Sequence, residues 1–154
     1  MRILVLATMT LLAGCATGPQ NQRATLYVSL NGLQEVPGPG DADGNGTAEI
    51  NVRPAEAQIC WELHARQIDA ATAAHIHRGA EGVAGPVVLT LTTPDAAGHS
   101  QGCAIGDPAL AREVAYAGHL FYLNVHNAAH PSGAIRGQLR GGPVSREPLP
   151  AVAR

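Results

Sequence analysis

Two histidines one residue apart, His75 and His77, lie in TAAHIHRGAEG (residues 72–82), with a glycine turn directly behind them. On an extended strand, residues two apart are separated by about 6.5–7 Å and point to the same face. Two imidazoles at that spacing can lean onto one ion through metal–nitrogen bonds of about 2.0 Å. Ile76, between them, then faces a core. A third ligand is required, and His126 in NVHN (124–127) is the first candidate, because that segment reads as a strand. His130, in the loop that follows, and His64, on the polar side of its own strand, stand in reserve. Imidazole-only ligation suits copper or zinc, and in an oxidising compartment Cu(II) is the natural ion. The same residues also support a structural reading. His75 and His77 can donate to backbone carbonyls at a strand end, with Asn124 and His126 as a polar ladder beside them. His99, read as a loop residue, and His119, read at the start of a strand, receive no role.

Other chemistry finds little support. There is no Gly-x-Ser-x-Gly elbow, no His-Glu-x-x-His and no phosphate loop in the chain. Glu35 and Glu81 are lone carboxylates, whereas glycosidase chemistry needs two that face each other. Arg136 in GAIRGQL (133–139) reads as a structural partner for Glu35, or as a residue that orients an anion. DADGNG (41–46) begins like a calcium loop, but its twelfth position is Val52 rather than glutamate, and Asp, Asn and Gly are equally what a hairpin turn demands. All 10 basic residues are arginine and none cluster, so the basic stripe of a nucleic-acid binder is missing and no nucleic-acid partner is expected.

The elements that must position the histidines are strands. TLYVSLNG (25–32), GTAEINVRP (46–54) and AQICWELHA (57–65) alternate apolar and polar residues, and GPVVLTLTTP, GHLFYLNVHN and GAIRGQLRG are β-branched or aromatic runs. Gly, Pro, Asn and Asp clusters separate them at short spacings, which predicts an antiparallel β-sandwich or barrel. One short helix is expected near 108–116, where Asp107 can cap, Pro108 suits the first turn and Gly118 follows.

The amino terminus sets the compartment. Residues 1–14 read as a signal peptide, with Met1–Arg2 ahead of an apolar run too short to span a bilayer permanently. The run ends in Leu12-Ala13-Gly14-Cys15, which resembles a bacterial lipobox. In proteins with that motif, cleavage leaves the cysteine amino-terminal and fatty-acylated, and several chains on one residue anchor stably. Ala16, rather than aspartate, points to the outer membrane facing the periplasm if the host is Gram-negative. Residues 15–24 then form a lipidated, flexible tether, and residues 141–154 a disordered tail, since little apolar content lies between their prolines. With Cys15 lipidated, Cys60 and Cys103 remain, and in an oxidising compartment they most simply form a disulfide. A copper or redox site at those two cysteines has no CxxC spacing behind it.

Three stretches together resemble a known family. LNGLQEVPGPGDADGNGTAEI (30–50), AAHIHRGAEGVAGPVVLTL (73–91) and FYLNVHNAAHPSGAIRGQL (121–139) are similar, in order, to the blocks of the CHRD domain, named for its repeats in chordin. The resemblance covers roughly residues 25–140 as one domain. It implies an all-β, immunoglobulin-like or barrel-like fold. A local His-x-His likeness to Cu/Zn superoxide dismutase goes no further than that pair. In chordin the repeats belong to a protein that binds growth factors, and no catalytic activity comes with the family. The expectation is therefore a membrane-anchored binding module of the cell envelope, not an enzyme, with a metal ion or an envelope protein as partner. An interaction scaffold with structural histidines is the alternative. A copper oxidoreductase is the weaker third, because no bridging histidine or zinc-ligand set is visible.

Overall fold

Alternate side chains of the first strands sort onto two faces. From β1 (Gln22–Asn31), β2 (Asn45–Arg53) and β3 (Gln58–Arg66), the residues Leu26, Val28, Leu30, Ala48, Ile50, Val52, Ile59, Trp61 and Leu63 enter the core. The intervening residues face outward, Tyr27 with 58 % of its surface exposed. The computed structural model describes residues 22–141 and the backbone of 145–146. The expected signal peptide and Cys15 lie outside the described residues.

The remaining elements are β4 (Ala71–Arg78), β5 (Val87–Thr90), β6 (His99–Ile105), α1 (Pro108–Ala117), β7 (Phe121–Asn127), β8 (Ile135–Gln138), β9 (Arg140–Gly141) and β10 (Ser145–Arg146). They form one curled, half-barrel sheet in the order β5-β4-β7-β8-β1-β2-β3-β6, with neighbours antiparallel. The all-β expectation with one helix therefore holds, in its barrel-like form. Asp107 caps α1 by accepting from the Ala109 N–H at 2.7 Å, and Ala111, Val114 and Ala115 seat the helix on the core. Gly118 is right-handed, not the left-handed terminator its position suggests; a Cβ there would lie 2.4 Å from Leu26 Cδ2. Packing, not backbone conformation, selects that glycine.

Three boundaries differ from the sequence reading. Residues 22–24, assigned to the tether, are strand; Ala24 pairs with Val52 and is buried. Part of the segment read as a loose tail pairs with β1, Gly141 opposite Leu26 and Ser145 opposite Arg23. The cause is that β8 meets β1 in register at Asn31–Arg136. The rest of that β1 edge keeps free N–H and C=O groups, which the returning chain satisfies. Finally, HSQGCAI (99–105), of which the sequence reading places only His99, in a loop, is β6. Its signal is weak because Gly102 has no side chain; a Cβ there would lie 2.5 Å from the Trp61 ring that covers it.

Cys60 and Cys103 sit directly opposite each other on β3 and β6 and are disulfide-bonded, closing a separation of 43 residues. Loop closure of that size stabilises by about 3–4 kcal/mol. Replacing both cysteines with serine should lower the unfolding free energy by about that amount; a denaturant midpoint equal to that of the parent protein would contradict it.

Candidate metal centre

Strands β7 and β8, and β4 in part, bury both of their faces. Ala74, Ile76, Phe121, Leu123, Val125 and Ile135 point into the core. The alternate residues, His75, His77, Tyr122, Asn124, His126, Arg136 and Gln138, form a polar layer on the other side, half-buried or fully buried. Register places His77 opposite Tyr122, His75 opposite Asn124 and His126 opposite Ala73. Ala73 is small, so the His126 ring is free to lean diagonally toward His75. The rings of His75 and His126 have centroids 5.1 Å apart, and those of His75 and His77 5.6 Å. One nitrogen from each of His75, His77 and His126 lies within 4.8 Å of the other two.

Backbone carbonyls decide which nitrogens face inward. His77 Nδ1 lies 2.9 Å from Gly85 O, and His126 Nδ1 lies 3.0 Å from Pro131 O. A carbonyl only accepts, so each Nδ1 carries the proton and each Nε2 keeps a bare lone pair. His126 Nε2 meets His75 Nδ1 at 3.1 Å, a contact that a proton can close. His77 Nε2 is buried and has no hydrogen-bond partner. Metal-ligating histidines almost always donate their other ring N–H in this manner. Two nearby segments supply the carbonyls. Gly85 also donates its N–H to Tyr122 Oη at 3.2 Å, and a Cβ on it would fall 1.7 Å from Arg78 O, so only glycine fits. Pro131 belongs to a turn in which Asn127 Oδ1 accepts the His130 N–H at 2.7 Å and His130 O accepts from the Gly133 N–H at 3.1 Å.

A planar stack supports the cluster. The Tyr122 ring lies 4.7 Å from the His77 ring at an interplanar angle of 9°, and the Arg136 guanidinium sits 3.4 Å from the Tyr122 centroid. Arg136 is fully buried and donates to Ala80 O and Val83 O, 3.1 and 3.0 Å away, which ties the loop of residues 79–86 to β8. Burial, followed by the charges of His126 and His77, holds the His75 pKa below its ordinary 6.5. Burial also lowers the pKa of His126, against the Pro131 carbonyl, which raises it; His77 adds a smaller lowering. Both imidazoles are therefore neutral at neutral pH and offer lone pairs.

The other sequence candidates lie elsewhere. His130 is held by Asn127 in its turn. His64 lies on β3, beside His99 of β6, so His99 is a strand residue rather than a loop one. His119 sits in a 3-10 turn and contributes its carbonyl to Gln138 Nε2. The calcium-like loop closes as a turn through Asn45 Nδ2 donating to Asp43 O and Gln67 Oε1. Glu81 pairs with Arg140 at the surface. Sequence reasoning missed Tyr122, Gly85 and Pro131, two of which act through main-chain atoms; the aromatic inside the strand motif was the one available signal.

Glu35 is a buried carboxylate against Gly133 and Gly40, and its Oε1 lacks a partner. Burial raises its pKa to about 7, opposed by the charge of Arg136 and the Val36 N–H. Between pH 7 and its unfolded value of 4.5, the folded state binds the extra proton, so this group adds stability as pH falls. His75 and His126 have the opposite sign, losing stability as pH falls below 6.5. Glu35→Gln removes the first effect alone. Relative to the parent, this variant should be more stable at pH 8 and lose up to about 3 kcal/mol of that advantage by pH 5. Parallel stability curves across that range would refute the assignment.

The CHRD domain profile matches residues 26–139. No curated protein and no solved structure shows significant similarity. A match over most of the chain, onto a sheet whose polar layer is built from its HIH and NVH segments, shows the family: the chain belongs to the CHRD domain family.

Proposed function

We propose that this CHRD domain is a binding module of the cell envelope that holds one Cu(II) ion through His75, His77 and His126. The observation that carries the reading is the buried His77 Nε2, which has no hydrogen-bond partner, in a ring that contributes to a three-imidazole cluster with ligand atoms within 4.8 Å of one another. Leaving a buried acceptor unmade costs about 1–3 kcal/mol, and an ion supplies the missing partner. The part-exposed His75 and His126 leave a side open to solvent, from which the ion or a further ligand enters. All-imidazole donors favour Cu(II) over the other common divalent ions. Binding rather than catalysis is proposed, with superoxide chemistry at the same copper as a weaker reading. The alternative scaffold reading draws on the His75–His126 contact, which can close without an ion. In that reading His75→Ala destabilises the fold and added metal has no effect on the wild type.

Titration of the protein with Cu(II) should show a tight equivalent that His77→Ala removes. Gly85→Ala, which replaces no ligand, should weaken that equivalent by about 10–100-fold by displacing the carbonyl behind His77. Uptake unchanged in His77→Ala would end the proposal. The module is also proposed to be tethered by acyl chains on Cys15, in the outer membrane if the host is Gram-negative. Labelled palmitate should enter the wild type but not Cys15→Ser, and equal labelling of both would dismiss the anchor.

A further inference from the structure

A second set of ligand-bearing side chains lies at the opposite end of the strand order, on β3 and β6. Register places His64 directly opposite His99, with Glu62 two residues before His64 on the same outward face. The core takes the alternate residues Trp61, Leu63 and Ala65. The two imidazoles stack with centroids 4.9 Å apart and an interplanar angle of 27°. Glu62 Oε1 lies 3.3 Å from His64 Nε2. One ligand atom from each of Glu62, His64 and His99 is within 4.8 Å of the other two.

The backbone holds this arrangement before any ion arrives. The Cys60–Cys103 disulfide joins the same two strands on the same face and fixes their register. The first residue of β6 is pinned as well: the His99 N–H donates to Asp95 Oδ1 at 3.0 Å, and His99 O accepts from the Asp95 N–H at 2.9 Å. Gly98, left-handed at φ +77°, allows the close approach to β3, since a Cβ would lie 2.0 Å from Ala65 O. Electrostatics add a separate cue. Glu49 of β2 stands directly opposite Glu62, and like charges so placed oppose each other. A cation at Glu62 relieves that repulsion.

We propose that Glu62, His64 and His99 form a second metal site, solvent-facing and independent of the three-imidazole cluster, that takes a borderline divalent cation, with Zn(II) as its probe. Two imidazoles and one carboxylate are a zinc donor set, and the fourth position is left to water or to a ligand from solution. Small side-chain rotations suffice, because tetrahedral coordination at about 2.0–2.1 Å puts donor atoms a little over 3 Å apart. The donor sets separate the two sites chemically, since the other cluster has imidazoles alone.

The test uses the disulfide-intact full chain with His75→Asn and His126→Asn, which removes the first cluster. Equilibrium dialysis against zinc chloride should give one Zn(II) per chain. Adding His99→Asn should abolish that uptake, and adding Glu62→Gln should weaken it by about tenfold or more. In the unsubstituted protein, zinc should shift the ring-proton resonances of His64 and His99, a readout that does not depend on how well a variant folds. No uptake in the His75→Asn/His126→Asn protein, uptake indifferent to His99→Asn, or His64 and His99 resonances unmoved as zinc binds would each overturn the second site. None of these outcomes bears on whether the first cluster takes copper.

Discussion

A neutral imidazole has two nitrogens and one proton, so the atom that receives the proton decides which way the lone pair points. In this domain two main-chain carbonyls make that decision. Gly85 O takes the Nδ1 proton of His77, and Pro131 O takes that of His126. Both Nε2 atoms thereby become acceptors inside the polar layer. The surrounding structure follows from this need. Gly85 lacks a side chain because Arg78 O leaves no space for one. Arg136 ties the carbonyls of residues 80 and 83 down to β8, which keeps the loop carrying Gly85 against the sheet. Asn127 closes the turn that presents Pro131.

That arrangement requires a sheet buried on two sides by different means. Half of the sheet, β1 to β3, has an ordinary apolar face and an exposed one. The other half covers its outer face with loops, which desolvates Arg136, Asn124, Gln138 and Glu35. Desolvation opposes stability unless each group finds a partner. Partners are found for Gln138, whose Nε2 reaches Gly79 O and His119 O at 2.8 and 2.7 Å. They are incomplete for Asn124 Oδ1, Glu35 Oε1 and His77 Nε2. A polar layer left partly unpaired next to a fully apolar core marks where the sequence serves something other than stability.

The legible part of this structure was the part written in side chains. Period-two alternation exposed β1 to β3, the cap at Asp107 exposed α1, and the His-x-His spacing placed two imidazoles on one face with Ile76 in the core. The Cys60–Cys103 bridge followed from counting once Cys15 was set aside for lipid in an oxidising compartment. What stayed hidden was carried by the backbone. No residue type announces that a glycine carbonyl will orient a histidine, or that a free stretch of β1 edge will pair with Gly141 and Ser145. β6 was missed because its partner Trp61 supplies the bulk that its own Gly102 lacks. With β6 went the place of His99, whose meaning depends wholly on the strand opposite.

The two halves of the sheet are also tied differently. β3 and β6, at one end of the strand order, are joined by a covalent bridge that acts in every state of the chain while oxidised. β4 and β7, toward the other end, are joined non-covalently, by their antiparallel backbone ladder and by the side-chain contacts of His75 with His126 and His77 with Tyr122. An ion shared by His75 and His77 of β4 and His126 of β7 would cross-link those strands only in the folded state. Its stabilisation would then grow with the concentration of free metal, as any ligand selective for the native state requires. The disulfide gives a constant constraint, and an ion at the imidazole cluster would give a conditional one.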